Sequence, residues 1–160
     1  MVAPSCLYAA MSYTVMTFFA DYERAAAGAP ASTISSTLAP DCKRYFRPQS
    51  FLDAAGFPPG FFFNNTGYEA SVGPELGVTQ SANWTIINLS IDERQRTAAA
   101  LTEYRVRLCG SEEYFLEFEW TWYFDKTGQK IEKIIEFVDP INALREAADA
   151  ADLAATGAKC

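Results

Sequence analysis

Residues 112–139, EEYFLEFEWTWYFDKTGQKIEKIIEFVD, alternate with a period of two. Tyr114, Leu116, Phe118, Trp120, Trp122 and Phe124 fall on one side, while Glu113, Phe115, Glu117, Glu119, Thr121 and Tyr123 fall on the other. Successive side chains of a strand point to opposite faces, so the pattern predicts a long β-hairpin with one apolar, aromatic face. Asp125-Lys126-Thr127-Gly128 closes the turn, with Gly128 free to take a positive φ. The return strand puts Glu132, Ile134, Glu136 and Val138 on one side, so a carboxylate recurs inside an otherwise apolar hairpin. An aromatic wall facing an acid suits a pocket for a hydrophobic, reactive small molecule.

Upstream the period changes. Leu7, Met11, Val15, Phe18, Phe19 and Tyr22 follow helical spacing, which predicts one helix over 5–27, stopped by Gly28 and Pro30. A short second helix is expected from Ala31 to Leu38, ended by Pro40, and a short strand from Asp41 to Arg47 with Cys42, Arg44 and Phe46 on one side. Residues 48–63 read as an irregular loop. Its Phe57, Phe61, Phe62 and Phe63 make it too apolar for solvent, so it either folds over the core or forms a lid or pocket wall. A third helix is expected over 65–76. Strands follow at 84–91 and 96–108, before the hairpin. Glu103, Arg105 and Arg107 share one side of their strand and can pair across the ladder with Glu113, Glu117 and Glu119. Asp139 and Pro140 open a C-terminal helix over about 140–155, with a frayed tail over 156–160. Helices gathered on one side of a curved, four-stranded antiparallel sheet make an α+β, cone-shaped single domain spanning 1–160.

Composition narrows the chemistry. Aromatics reach 14%, which points to an aromatic-lined interior, and the net charge of −7 argues against nucleic acid and anionic membrane surfaces as partners. There is no histidine, which removes the commonest general base and metal ligand and leaves carboxylates, Tyr, Lys, Arg or Cys for proton transfer. No metal site is expected. Cys6, Cys42, Cys109 and Cys160 are scattered without a CxxC motif and read as free thiols. Asn64, Asn83 and Asn88 begin glycosylation sequons. However, the apolar N-terminal segment lacks a preceding basic residue and carries Asp21, Glu23 and Arg24 before AAAGAPA, so an amphipathic helix of an intracellular, cytoplasmic protein is expected rather than a secretion signal. No run reaches the roughly 18 apolar residues of a membrane span.

DCKRYFRPQS (41–50), TEYRV (102–106) and the hairpin with its Asp-x-x-Gly turn and closing Glu-Phe-x-Asp resemble the nuclear-transport-factor-2-like superfamily. Within it they resemble the SnoaL-like proteins of fungal natural-product clusters. The resemblance covers about residues 20–140. It implies a cofactor-free enzyme, commonly a homodimer through the convex sheet face, whose relatives include polyketide cyclases, isomerases, rearrangement-controlling enzymes, dehydratases and epoxide hydrolases. The isomerase pattern carries an Arg matched by Arg44, a Tyr matched by Tyr114, an aromatic hydroxyl where this chain has Phe118, and a Glu matched by Glu136. Phe118 lacks that hydroxyl. The dehydratase branch relies on histidines that are absent here, which disfavours a lyase.

Glu136, Arg44 and Tyr114 are thus the expected catalytic set. Glu136 faces either the pocket or a buried pair with Arg44. Phe118, Trp120, Trp122, Tyr104, Tyr68 and Phe62 are the expected substrate-binding residues. The expected function is an isomerase or cyclase, needing no cofactor, that controls rearrangement or ring closure, including a pericyclic closure, of a hydrophobic fungal secondary metabolite. The competing expectation is a non-catalytic small-molecule-binding or dimerisation module.

Overall fold

In the computed structural model, which describes residues 5–160, the Ser5 hydroxyl accepts the Tyr8 N–H at 3.0 Å and caps the first helix, α1 (Cys6–Ala26). The predicted apolar stripe is its buried face: Met11, Val15, Phe18, Phe19 and Tyr22 enter the core. Fully burying Phe18 alone contributes about 1.5–3 kcal/mol. The helix expected next is only a 3₁₀ turn over Ala31–Ser35, because the chain is already extended at Leu38. Strand β1 (Leu38–Arg47) borders the sheet, and its register shifts between Leu38 and Lys43. An edge bulge tolerates Pro40, which has no N–H to contribute. Helices α2 (Gln49–Ala54) and α3 (Asn65–Val78) follow, the latter capped by the Asn64 side chain on the Gly67 N–H at 2.7 Å.

Strands β2 (Thr79–Asp92), β3 (Thr97–Leu108), β4 (Glu113–Phe124) and β5 (Ile131–Val138) form the predicted antiparallel meander. The sheet order is β1-β5-β4-β3-β2, so a fifth strand, β1, adds in parallel beside β5. The sheet is curved and unclosed, and α1, α3 and the last helix, α4 (Pro140–Ala155), pack with it into an α+β cone. Asp139 caps α4 at the Ile141 and Asn142 amides. In the β4–β5 turn Gly128 has φ +71°, and a Cβ there would lie 2.8 Å from Met11 Cγ, so the position needs glycine for both backbone and space. No helix among the described residues is long and apolar enough to cross a membrane.

Three expectations fail here. Glu132 does not share the inner side with Glu136: a register shift between Tyr123 and Phe124 turns it out to solvent and leaves Ile131, Ile134, Glu136 and Val138 inside. The charge ladder reduces to one exposed pair, Arg105–Glu113 at 3.1 Å, while Glu103 lies opposite Glu117. Cys109 and Cys160 are not free thiols but a disulfide, with Cα atoms 5.1 Å apart. The tail at 156–160 therefore returns to the β3–β4 turn instead of fraying. Cys6 and Cys42 remain free.

Candidate active site

Register decides what meets Glu136. Its Cα partner on β4 is Trp120 and on β1 is Phe46, so the carboxylate stands between two aromatic side chains on the sheet's inner face. Arg44, two residues before Phe46, shares that face. Its Nη1 donates to Glu136 Oε2 at 3.2 Å and also to the Tyr22 hydroxyl of α1, and both charged residues are buried. The guanidinium lies 3.8 Å from the centre of the Tyr68 ring of α3, a cation–π contact. Sheet, first helix and third helix thus converge on one charge pair.

Burial and pairing act in opposite directions on Glu136. Burial favours the neutral acid, Arg44 favours the carboxylate, and burial dominates, raising the carboxyl to about 7. Arg44 stays a cation: burial disfavours its charge, but Tyr22, Tyr68 and Glu136 more than offset that. The Tyr22 and Tyr68 phenols are pushed above their usual range, chiefly by burial, and are proton donors at neutral pH. Glu136 Oε1 has no hydrogen-bond partner among the described residues, so one oxygen is held and the other is free.

That free oxygen belongs to the wall of a cavity of about 270 Å³. The floor is Tyr22, Glu136, Phe118 and Trp120, with Trp120 fixed by its indole N–H donating to the Thr102 hydroxyl at 2.9 Å. Trp84 and Tyr104, stacked 4.2 Å apart at 18°, form one side, and Phe46, Phe51, Phe57 and Phe63 another. The 48–63 segment is therefore cavity wall. Exposed Ala55, Ser71, Pro74, Ala147 and Ala151 also line the cavity and mark a mouth between α2, α3 and α4. Among the described residues, no group of three or more Cys, Asp or Glu side chains is placed to hold a metal ion.

The expected site residues divide. Glu136, Phe118, Trp120, Tyr104 and Tyr68 line the cavity. Arg44 lies one layer behind it, reaching the cavity only through Glu136, Tyr22 and Tyr68. Tyr114 is elsewhere: near the start of β4, beyond Leu116, it meets α4, where its hydroxyl donates to Asp149 and Arg145 lies 5.6 Å from its ring. Trp122 is fully buried under α1 against Phe18 and Phe19. Phe62 points outward beside Tyr45 and Lys43, because Phe63 exchanges both backbone hydrogen bonds with Arg44 at 2.9 Å and alternation sends Phe63 inward.

Sequence reasoning missed Tyr22, Glu75, Glu146 and Trp84. Tyr22 was absorbed into the apolar stripe of α1. Glu146 had a visible signal: it lies in an Ala143–Glu146–Ala147–Ala150 stripe, one face of α4. Glu75, between Val72 and Leu76 on α3, had a similar one.

No protein-family profile and no curated protein matches the sequence. Solved structures do match the fold. BvnE pinacolase from Penicillium brevicompactum superposes with a TM-score of 0.76 at 16% identity, covering 94% of this chain and 97% of that one. PrhC from Penicillium brasilianum gives 0.74 at 14% identity over 94% and 95%. A protein described as a SnoaL-like polyketide cyclase, from Shewanella denitrificans, gives 0.64 at 9% identity over 87% and 97%. The chain therefore has the cone-shaped fold of the SnoaL-like, nuclear-transport-factor-2-like proteins.

Proposed function

We propose that this protein is an isomerase or cyclase of secondary metabolism that rearranges or closes a hydrophobic substrate inside the aromatic cavity, without a cofactor. One observation carries the reading. Glu136 offers a free carboxyl oxygen to an enclosed apolar space while its other oxygen is held by a buried arginine. A carboxyl poised near 7 can both take and return a proton at neutral pH, as a shift of a double bond or a migrating group requires. The Tyr22 and Tyr68 hydroxyls are the donors placed to polarise a carbonyl or receive developing oxyanion charge. Arg44 is a positioning residue that fixes Glu136 and orients Tyr22. Phe118 and Trp120 hold the substrate in one folded conformer, which removes entropy from ring closure. The fold shared with the BvnE pinacolase supports the same class of reaction. A fungal source and a homodimer through the outer sheet face belong to this proposal.

The test is genetic and chemical. Deleting the gene in its source organism should change the isomer or ring pattern of one metabolite, and the wild-type gene should restore it. Glu136→Gln keeps shape but cannot shuttle the proton, so turnover should fall about 10²–10⁴-fold with the protein still folded. Full restoration of the product by Glu136→Gln would refute proton transfer by this residue.

A further inference from the structure

The cavity has a second polar end that the proposed proton transfer does not use. Glu75 of α3 and Glu146 of α4 line it beside the exposed Pro74 and Ala147 of the mouth, with Glu75 within reach of the Glu136 charge. Glu146 is 5% exposed, and its Oε1 is buried without any hydrogen-bond partner. A buried carboxylate oxygen left unsatisfied costs free energy that a ligand donor would recover. Asp149, one turn further along α4, adds negative charge beside Glu146. No lysine or arginine lines the cavity among the described residues: Arg44 is engaged behind Glu136, and Arg145 is turned onto the Tyr114 ring. Next to the two carboxyls stand the stacked Trp84 and Tyr104, whose ring faces attract cations.

Acids without a protein counter-ion, an orphaned acceptor and an aromatic wall together describe a receptor for a positively charged donor. The carboxyls do not form a metal-ligating group. From this arrangement we infer that the substrate carries a basic nitrogen, bound as ammonium or iminium between Glu75, Glu146 and the Trp84–Tyr104 stack. This rests on the isomerase or cyclase reading and narrows its substrate class to nitrogen-containing hydrophobic metabolites. The charged end anchors the substrate at the mouth, and the apolar body extends to Glu136 on the floor. Glu75 and Glu146 hold protons above the usual carboxyl range, chiefly through burial, with repulsion from Glu146 and Glu136 acting on Glu75 and from Asp149 on Glu146. An entering cation replaces that proton.

Three indole probes of similar size separate charge from shape: tryptamine (cation), tryptophol (neutral) and indole-3-propionate (anion). Binding is measured by calorimetry at about pH 8, where the Glu146 carboxyl, raised to about 7, is ionised. Tryptamine should bind about tenfold or more tighter than tryptophol, the scale of one charge-assisted hydrogen bond, with the anion weakest. Glu146→Gln and Glu75→Gln should each reduce that preference. Glu75→Gln, on a half-buried residue, serves if Glu146→Gln does not fold. Equal affinity of the wild-type protein for tryptamine and tryptophol would overturn the inference, as would a preference that survives both substitutions. The measurement is blind to turnover. A gene deletion that changes no isomer or ring pattern sinks the isomerase reading alone, whereas equal probe affinities sink the nitrogen inference alone.

Discussion

The stability of this protein should fall as the pH rises from 5 to 8, and Glu136 should be a main cause. A carboxyl that holds its proton up to about 7 when folded, against an ordinary value of 4.5 when unfolded, binds more protons in the native state between those limits. Each such group lowers the unfolding free energy by about 1.4 kcal/mol per pH unit across the window and leaves it flat above. For Glu136 the loss sums to about 3 kcal/mol by pH 7, a large part of a typical domain stability of about 5–15 kcal/mol. Glu146, also raised to about 7 by burial and then Asp149, acts in the same window, and Glu75, raised well above its ordinary value chiefly by burial, acts in the same direction. Asp125 does not oppose the trend. Burial nudges its carboxyl up, hydrogen bonds from the Thr127 side chain and the turn amides outweigh that, and its stabilising contribution is complete above 3.8. Urea unfolding at pH 5, 6, 7 and 8 measures the profile. Glu136→Gln removes one titrating group, so its profile should be flatter than wild type by about 3 kcal/mol over that range. The slope decides the matter, because the amide also weakens the bond to Arg44 and shifts all pH values together. A wild-type protein that gains stability from pH 5 to 8, or a variant with an unchanged slope, would refute the premise that burial dominates Arg44 at this site.

Cys160→Ser should destabilise the protein by about 4 kcal/mol in the chain-entropy account of a bridge spanning 51 residues, read from urea midpoints with and without reductant. Equal midpoints, or four titratable thiols in the unreduced unfolded chain, would contradict the bridge. The outer sheet face exposes Ile87, Leu101, Phe115 and Phe137, so wild type should sediment at equilibrium as a homodimer at micromolar concentration and Phe137→Asp should sediment as single chains. A wild-type protein found only as single chains would rule that face out as a dimer interface.

The meander and the aromatic inner face were legible because both rest on local periodicity. Phe118 and Trp120 face inward for the same reason that Glu117 and Glu119 face outward, and no partner strand is needed to read it. The bulge that ejects Glu132 leaves no such mark, since one inserted residue shifts the face without changing composition. The Cys109–Cys160 bridge was hidden because it depends on α4 carrying the tail back to a distant turn. A disulfide is a feature of oxidising compartments more than of the cytosol, which weakens the premise of the intracellular expectation. Tyr114 stands outside the cavity through depth: alternation gives a side chain its face but not its position along the cone. Glu75 and Glu146 were overlooked because acids on helices are usually solvated, and only the apolar neighbours at i±3 and i±4 marked these two as inward.

The parallel pairing of β1 with β5 connects the fold to the site. The hairpin alone supplies the acid and its aromatic walls, since Glu136 and Trp120 are partners across β4 and β5. A carboxyl in that setting without a cation would be a neutral acid well past neutral pH, able to donate a proton but poor at taking one. Arg44 changes that balance, and it can do so only from a strand on the far side of β5 in the observed register. A slip of β1 by one residue would turn Arg44 to solvent and bring Lys43 or Tyr45 inward, because side chains alternate. The long connection from β1 to β5 carries α3, whose Tyr68 joins Tyr22 of the preceding α1 at the same charge pair. The edge strand adds little to the aromatic core, yet it sets the protonation of the residue on which the proposed chemistry depends.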